Sequence, residues 1–375
     1  MICITVRYRV HSRFLETQKN TMRWSISLFI CFLLFVVIAV TASSQTHMEF
    51  HGLPPSGPTE VVGNSWRIFA TGEIDADAAI RLETFINKNN ISDKSILTID
   101  SPGGSLLGGM ELGRVIRNAG LFTYVGKENV KPDEMMRPGE CYSACALAFL
   151  GGRFRWIYPT SIYGVHRFNF DGQVQHSTDV TQILSASIVQ YIRDMGVDPS
   201  LFNAMISASS ESINILSQNQ LKEWKVVNDG YETTAWTVET VNDALYLKGT
   251  RNTWRGVNKF MLVCAPRKPM FLYAIFDPEG RSEEVLKMKS YSLFIGDRAI
   301  PISSHLMGPP FLVNGLINAA FSLDQKLMAA LRTAKEVGVA FQFSYDSPIF
   351  AGFDGMDFSV GAKKLPALVG NCPIR

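Results

Sequence analysis

The chain lacks a large charge of either sign. Its formal net charge is +2 over 375 residues. Residues 1–42 carry five basic residues against one acidic residue, a net charge of +4, so the remainder of the chain has a net charge of −2. No basic stripe is left for nucleic acid, and we therefore expect no nucleic-acid partner.

Several short motifs of well-known enzyme classes are also missing. The sequence contains no P-loop, no dinucleotide fingerprint and no His-Glu-x-x-His zinc motif. It has no Gly-x-Ser-x-Gly elbow of the α/β-hydrolase kind either. These absences leave no basis for a nucleotide, a metal ion or another cofactor, and we predict none.

Cysteine is scarce. Of the six cysteines, four lie beyond residue 42, at positions Cys141, Cys145, Cys264 and Cys372. In an oxidising compartment an even number of cysteines favours pairing. We predict a disulfide between Cys264 and Cys372, which would tie the end of the chain to the C-terminal domain.

The other two cysteines, Cys141 and Cys145, flank a serine, Ser143. Facing positions on a regular helix suit a disulfide poorly, because the separation of their Cβ atoms is near the geometric limit. If Cys141 precedes the helix, the bond becomes feasible and would lock the serine turn. A zinc pair completed by His166 or His176 is the alternative, although no second cysteine pair supports it.

One long hydrophobic run is present, from Ile26 to Val40. Arg23 precedes this run and small residues follow it, which is the order of a secretory signal. An uncleaved anchor is the alternative, since the run is short for a membrane span but not too short. We predict that residues 1–42 are a signal peptide or an N-terminal membrane anchor. The rest of the chain is then periplasmic or extracytoplasmic, and residues 26–40 anchor it to the membrane if they are retained.

The remaining chain divides into three parts. Residues 43–65 include a stretch rich in Pro, Gly and Ser and are predicted to be a linker. Residues 66–230 alternate apolar strands with amphipathic helices, a pattern typical of a mostly parallel sheet covered by helices. Residues 231–375 carry apolar runs at hairpin spacing, which predicts a β-rich, sandwich-like accessory domain. A capping-box pattern at Ser322 predicts one helix in that domain.

A glycine pair follows one of the predicted strands. Ile96–Ile99 is an apolar run, Pro102-Gly103-Gly104 predicts a tight turn, and apolar residues then recur at helical spacing from Leu106 to Asn118. Two glycines at a strand-to-helix turn leave backbone N–H groups bare. Such groups bind a phosphate or the developing oxyanion of a carbonyl under attack.

A serine and a histidine follow at a fixed order. Residues 141–152 predict a short apolar helix with Ser143 at its start, and Tyr163–His166 predicts a strand that ends in a histidine 23 residues after the serine. A serine hydroxyl needs an adjacent base before it becomes a nucleophile. Strand, Gly-Gly turn, serine and histidine together indicate a serine hydrolase.

In this order and spacing the chain resembles the proteolytic subunit of the Clp protease and its crotonase-like relatives. It resembles more closely the bacterial envelope proteins described as periplasmic Clp-protease-like. The resemblance runs from Trp66 to Asp229 and implies a ClpP/crotonase-like spiral of βαβ units. It implies Ser143 as nucleophile and His166 as general base, with the N–H groups of Gly104 and Ala144 as the oxyanion hole.

The match to this family fails at the aspartate that orients the histidine. Its counterpart, counted along the chain, is Ile213. Glu211 and Asn214 would substitute after a small shift in register, and Asp194 and Asp198 are more distant choices. Without an orienting group the imidazole can hold the wrong tautomer. A Ser-His dyad, a triad with an unusual third member and an inactive site all stay open.

The favoured hypothesis is an exported serine peptidase that hydrolyses peptide bonds through an acyl-enzyme. The alternative is a catalytically inactive Clp-like scaffold whose β domain binds an envelope partner. An acyl-CoA enzyme of the crotonase kind is weaker, because export separates the protein from the CoA pool. The resemblance also implies a homo-oligomer, although the large C-terminal domain argues against stacked rings and leaves dimers and trimers open.

Overall fold

The computed structural model describes residues 47–56, 65–129, 136–169, 177–347 and 349–372. The predicted signal peptide or anchor and His176 lie outside these ranges. Within them, no helix is both long enough and apolar enough to cross a membrane. The described residues form a mixed α/β part with several sheets, followed by a β-rich part.

The α/β part alternates short strands with helices for most of its length. Its elements in chain order are β1 (Glu49–Leu53), β2 (Arg67–Thr71), α1 (Ala78–Asn89), β3 (Ile96–Asp100), α2 (Leu106–Asn118), β4 (Phe122–Val125), β5 (Glu140–Tyr142), α3 (Ala144–Phe149), β6 (Arg155–Ile157), β7 (Ile162–Val165), α4 (Ser177–Asp194), α5 (Ser200–Ser207), β8 (Asn214–Ile215) and α6 (Gln218–Glu223).

Five of these strands form the main sheet, in the order β1-β2-β3-β4-β6. Strands β2, β3, β4 and β6 run parallel, whereas β1 is antiparallel to β2. The side chains of Ile68, Leu97 and Ile99 are fully buried. Successive residues of β3 are buried on both faces of the sheet, which explains its continuous rather than alternating apolar pattern.

Strand β1 lies inside the predicted linker, so the linker prediction is wrong for Glu49–Leu53. This strand pairs with β2 along its whole length, and Met48, just before it, is fully buried. The rings of Phe85 and Trp66 pack against Gly52. A Cβ at this position would lie 3.2 Å from the Phe85 ring and 3.3 Å from the Trp66 ring. Apolar residues at the start of the segment are enough for an edge strand, but the Pro- and Gly-rich average composition obscured them.

Local signals determine where the helices begin and end. Helix α2 has the predicted bounds, with Ser105 as its cap, whose hydroxyl accepts a hydrogen bond from the Gly108 N–H at 3.1 Å. Helix α6 begins at a capping box in which Ser217 and Gln220 bond each other's backbone N–H groups. These caps satisfy N–H groups that the first turn of a helix leaves without partners.

A second, smaller sheet has the order β5-β7-β8. Strand β5 runs parallel to β7, and β7 is antiparallel to β8. An additional bridge pairs Ser101, just after β3, with Cys141 of β5. The end of the main sheet and the start of the smaller one therefore meet beside the glycine turn.

The β-rich part consists of two antiparallel sheets. Its elements are β9 (Ala235–Val241), β10 (Ala244–Thr253), β11 (Gly256–Cys264), β12 (Phe271–Phe276), α7 (Ser282–Lys287), β13 (Ser290–Ile295), β14 (Arg298–Pro301), β15 (Phe311–Val313), β16 (Leu316–Ser322), α8 (Gln325–Arg332), β17 (Glu336–Gln342), β18 (Ala351–Asp357) and α9 (Ser359–Gly370). One sheet has the strand order β15-β16-β12-β11-β10-β9 and the other has the order β14-β13-β17-β18.

Each part has its own hydrophobic core. Buried residues of the first core extend from Met48 to Val227, and those of the second from Trp236 to Leu368. The predicted boundary between residues 230 and 231 falls between them. A disulfide joins Cys264 at the end of β11 to Cys372 just after α9, with a Cα–Cα distance of 5.7 Å. It is the pair favoured from the sequence.

The predicted helix start at Ser322 is wrong. Ser322 is the last residue of β16 and pairs with Phe271. Asp324 caps α8 instead, because its carboxylate accepts a hydrogen bond from the Leu327 N–H at 2.8 Å. Helix α9 was missed because it contains Pro366, a residue that usually ends or kinks a helix.

Candidate active site

Backbone pairing between distant segments brings the glycine turn and the serine turn together. The Ser101 N–H donates to the Glu140 carbonyl at 2.8 Å, and the Tyr142 N–H donates to the Ser101 carbonyl at 3.1 Å. Because β3 and β5 both end at this point, the turns that follow them lie next to each other. The two turns are Pro102–Gly104 and the segment around Ser143.

Ser143 has an unusual backbone conformation. It precedes helix α3 with φ 56° and ψ −118°, in a region that residues with a Cβ rarely adopt and that costs about 1–3 kcal/mol. A serine at a helix start is normally a cap, but Ser143 makes no side-chain cap hydrogen bond. Its hydroxyl bonds to none of the residues that the structure describes. Capping therefore does not explain this serine.

A disulfide encloses the serine turn. Cys141 in β5 is bonded to Cys145 in α3, with a Cα–Cα distance of 5.2 Å and a sequence separation of 4. Cys141 precedes the helix, which is the condition under which the sequence allowed this bond. Both residues are fully buried. Neither thiol is free to bind zinc as the alternative required.

Gly103 packs directly against the serine turn, whereas the atoms nearest to Gly104 belong to Ile74 and Glu73. A Cβ on Gly103 would stand 2.6 Å from the Tyr142 carbonyl oxygen, 2.8 Å from Ser143 Cβ and 3.2 Å from the Ala144 nitrogen. Its φ is +104°. Only glycine suits both the backbone angle and the contact. The sequence placed Gly103 in the turn, but the resemblance named only Gly104 as an oxyanion donor, and the contact of Gly103 with the serine turn was not predicted.

Two backbone N–H groups in these turns, those of Gly104 and Ala144, donate to no residue that the structure describes. The Gly103 N–H donates to Ser101 Oγ at 3.1 Å, whereas the N–H of exposed Gly104 bonds to no residue within the described ranges. Ala144 is the first residue of α3, a position whose N–H has no partner within the helix. Each turn thus presents one of the two donors predicted from the sequence.

His166 follows β7, the strand next to β5. Tyr142 pairs with Gly164 in the parallel register, and the Ser143 N–H donates to the Gly164 carbonyl at 3.0 Å. Neighbouring strands lie about 4.8 Å apart. Ser143 and His166 therefore stand at adjoining strand ends.

The His166 ring is held by a backbone carbonyl. Its Nδ1 lies 2.8 Å from the carbonyl oxygen of Arg167. A carbonyl only accepts hydrogen bonds, so Nδ1 is the donor in this contact, and in a neutral imidazole the lone pair is then on Nε2. Arg167 is itself anchored, because its N–H donates to the Ala208 carbonyl at 3.3 Å and its guanidinium to the Ile206 carbonyl at 2.8 Å.

Neither orienting residue proposed from the sequence is bonded to His166. Asn214 pairs with Val165 across the antiparallel strands, and its amide nitrogen donates to the Ala204 carbonyl at 3.2 Å. Glu211 is exposed and bonds to no residue of the described ranges. Paired residues share a face of a sheet, so Asn214 lies on the face opposite that of His166.

The two more distant aspartates bond elsewhere as well. Asp194 accepts a hydrogen bond from the Gln190 side chain at 2.7 Å. Asp198 accepts one from the Ser200 N–H at 2.8 Å, which lowers the pKa of its carboxyl group. Both carboxylates therefore form hydrogen bonds at helix ends, Asp194 at the end of α4 and Asp198 before the start of α5.

An apolar side chain occupies the place where the sequence count put the aspartate. Ile213 and the Tyr142 ring both pack directly over Gly164. Gly164 and His166 share a face of β7, because side chains alternate along a strand. Burial, the largest cause, and the nearby Glu140 carboxylate raise the pKa of Tyr142. The side chains of Ile213 and Tyr142 are therefore both uncharged at neutral pH.

No metal site accompanies this arrangement. The described part of the chain has no group of three or more His, Cys, Asp and Glu side chains placed to hold a metal ion. The chemistry available at the site is that of a hydroxyl, an imidazole and two backbone N–H donors.

Comparisons with known proteins do not identify a family for this chain. No known protein-family model matches the chain, and no curated protein matches it. Among solved structures, it is similar to the 1510-N membrane-bound stomatin-specific protease, crystallised as a serine-to-alanine mutant. The two share 18% identity with a TM-score of 0.31, over 43% of this chain and 75% of that one. A similarity at this level carries no argument about function.

Proposed function

We propose that the chain is an exported serine peptidase of Clp-like fold, with Ser143 as nucleophile and His166 as general base. The observation that carries this proposal is the backbone of Ser143, at φ 56° and ψ −118° with no cap hydrogen bond. A strained residue whose side chain makes no structural bond is typical of a functional position. Its neighbour His166 has the tautomer that a base needs.

The residues divide the reaction as follows. His166 Nε2 takes the proton of the Ser143 hydroxyl while Oγ attacks the peptide carbonyl. The oxyanion then lies between the N–H groups of Gly104 and Ala144. The imidazolium gives its proton to the leaving amine, and water later hydrolyses the acyl-enzyme. A general base contributes about 10²–10⁴-fold and one oxyanion donor about 10²–10³-fold.

The carbonyl of Arg167 takes over one of the two tasks of a triad aspartate. It holds the imidazole in the tautomer with Nδ1 protonated, since its oxygen lies 2.8 Å from that nitrogen. A neutral carbonyl stabilises the imidazolium less than a carboxylate does. We therefore expect a slow peptidase that acts on a peptide or protein substrate.

A second candidate is the inactive scaffold whose β-rich part binds an envelope partner. Two observations favour it. Ile213 stands where an orienting carboxylate is expected, and its side chain is 46% exposed. Phe311, Leu312 and Val313 of the edge strand β15 are exposed by 45–47%, and contiguous exposed apolar residues mark interaction surfaces.

Export is part of the proposal. Two disulfides, Cys141–Cys145 and Cys264–Cys372, support it, because disulfides persist in oxidising compartments. Membrane anchoring through residues 26–40 and a homo-oligomer belong to the proposal on the strength of the sequence alone.

Covalent labelling by a fluorophosphonate tests the function, because this probe reports an activated serine whatever the substrate. The full chain, expressed with export, should be labelled, and labelling should disappear in Ser143→Ala and His166→Ala. Circular dichroism shows that each variant is folded. Absence of labelling of the folded wild type would favour the scaffold, and a pull-down with the β-rich part would follow.

A further inference from the structure

We propose that the Cys141–Cys145 disulfide is a positioning device, which holds Ser143 in the backbone conformation that makes it a nucleophile. This inference rests on the proposed function and adds a requirement to it. The serine site would work only in the oxidised protein. Cys141 and Cys145 are then positioning residues, since they act through Ser143 and not on the substrate.

The first argument is the reach of the chain. An extended segment spans about 3.3–3.6 Å per residue, so four residues can separate two Cα atoms by about 13 Å. The disulfide holds the Cα atoms of Cys141 and Cys145 at 5.2 Å. The three residues between them must therefore reverse direction, and the positive φ within this segment occurs at Ser143.

The second argument is that both ends of the disulfide are held independently. Cys141 pairs with Tyr163 in the parallel strand β7 and with Ser101 beyond β3. On the other side, Ala144 packs against Gly109 of helix α2. Neither contact by itself requires Ser143 to have a positive φ. We assign that requirement to the bond between the two anchored sides, because a regular helical turn, with negative φ throughout, suits a disulfide at this spacing poorly.

The third argument separates positioning from general stabilisation. A disulfide stabilises a fold chiefly by restricting the unfolded chain, and the effect grows with the length of the closed loop. Cys264–Cys372 has a sequence separation of 108, which suits that role. Cys141–Cys145 has a separation of 4, so it restricts the unfolded chain far less.

Burial further distinguishes this disulfide from a surface redox sensor. Cys141 and Cys145 are both fully buried, so a reductant has no direct access to the sulfurs in the folded protein. Substitution is therefore the primary test. Reduction, where it occurs, transfers two electrons and two protons from dithiothreitol to the disulfide and gives two thiols and one cyclic dithiothreitol disulfide.

The chain offers a matched pair of variants. In the full-length protein, Cys141→Ala with Cys145→Ala removes the disulfide at the serine, and Cys264→Ala with Cys372→Ala removes the distant one. Fluorophosphonate labelling is followed at several probe concentrations. We expect the saturating labelling rate to fall at least about tenfold in the first variant, with little change in the probe concentration at half-maximal rate. The second should label at the wild-type rate below its unfolding temperature.

A folded first variant that labels at the wild-type rate would overturn the inference. If that variant fails to fold, the second variant allows another route, because Cys141–Cys145 is then its single disulfide among the cysteines beyond residue 42. Its labelling should fall in proportion to the thiols released by dithiothreitol and recover with oxidised glutathione. Full labelling of protein with both thiols released would overturn the inference equally.

A stability measurement separates failure of this inference from failure of the proposed function. Glycine adopts the positive φ of Ser143 freely, whereas alanine does not. Ser143→Gly should therefore melt at a higher temperature than Ser143→Ala when the disulfide is present. In the Cys141→Ala, Cys145→Ala background that difference should shrink or reverse, because the turn can relax. An equal difference in both backgrounds would refute the positioning role whether or not the wild type is labelled.

Discussion

The carbonyl oxygen of Arg167 orients the imidazole of the residue before it, because His166 Nδ1 donates to this oxygen at 2.8 Å. The guanidinium of the same arginine donates to the Ile206 carbonyl at 2.8 Å. One residue thus links the imidazole to the last turn of α5. A backbone group holds the ring where a serine-peptidase triad uses a carboxylate.

The anchor of Arg167 can be removed without touching its carbonyl. We expect Arg167→Ala to lower the saturating fluorophosphonate labelling rate by roughly tenfold, because the histidine is then held less well for proton transfer. Probe affinity should change little. Arg298→Ala, at an exposed residue of β14, is the control. An unchanged rate in Arg167→Ala would show that the Arg167 N–H bond to Ala208 positions the carbonyl by itself.

A carboxylate can be placed where the aspartate is missing. Ile213 shares the face of Gly164, so Ile213→Asp should let a carboxylate reach the histidine and raise the labelling rate by about tenfold, because it stabilises the imidazolium. Asn214→Asp is the matched control, since it puts the same group one residue along on the other face. A faster rate in the control and not in Ile213→Asp would overturn the assigned faces.

Gly103 should tolerate no side chain. In Gly103→Ala the new Cβ would stand 2.8 Å from Ser143 Cβ, so we expect labelling to be lost and the free energy of unfolding to fall by about 2 kcal/mol or more. Gly196→Ala is the control, because Gly196 also has a positive φ but has no atom within 4 Å of the new Cβ. It should lose about 1 kcal/mol and keep its labelling. Urea unfolding and labelling kinetics measure both effects.

An ion pair behind the glycine turn should make stability depend on pH. The Arg81 guanidinium, by its hydrogen bonds, lowers the pKa of Asp75 from 3.8 to about 2. Asp75 adjoins Ile74, whose N–H donates to the Gly103 carbonyl at 2.7 Å. Because the pKa is lowered in the folded state, the stabilisation is complete above about pH 4 and is lost as the pH falls to about 2.

Arg81→Met should therefore reduce the free energy of unfolding at pH 7 by roughly 1 kcal/mol, a value lowered by the partial exposure of both side chains. The difference from wild type should disappear as the pH approaches 2. Urea unfolding between pH 7 and pH 2.5 measures it, with Arg298→Met as control. A difference that stays constant over this range would contradict a role for the Asp75 charge.

Much of the local structure could be predicted from sequence because local groups decide it. Helix α2 begins after Ser105 and ends at Asn118 as predicted, since the Ser105 hydroxyl cap and Gly120, a glycine with φ 67° just beyond the helix, act within one turn of its ends. Strand β3 was recognisable as an apolar run. The prediction at Ser322 was wrong because it considered local groups alone. Its capping pattern is genuine locally, but pairing with Phe271 outweighs it.

The candidate site was predictable in its order along the chain and not in its contacts. The sequence by itself determined that a glycine turn, Ser143 and His166 follow successive elements, and that the family's orienting aspartate is missing at Ile213. Only the tertiary structure decided that Gly103 abuts Ser143, that Cys141 and Cys145 are bonded on either side of the serine, and that the Arg167 carbonyl oxygen lies 2.8 Å from His166 Nδ1. These relations depend on pairings between β3, β5 and β7, whose residues are distant along the chain, and no local propensity encodes such pairings.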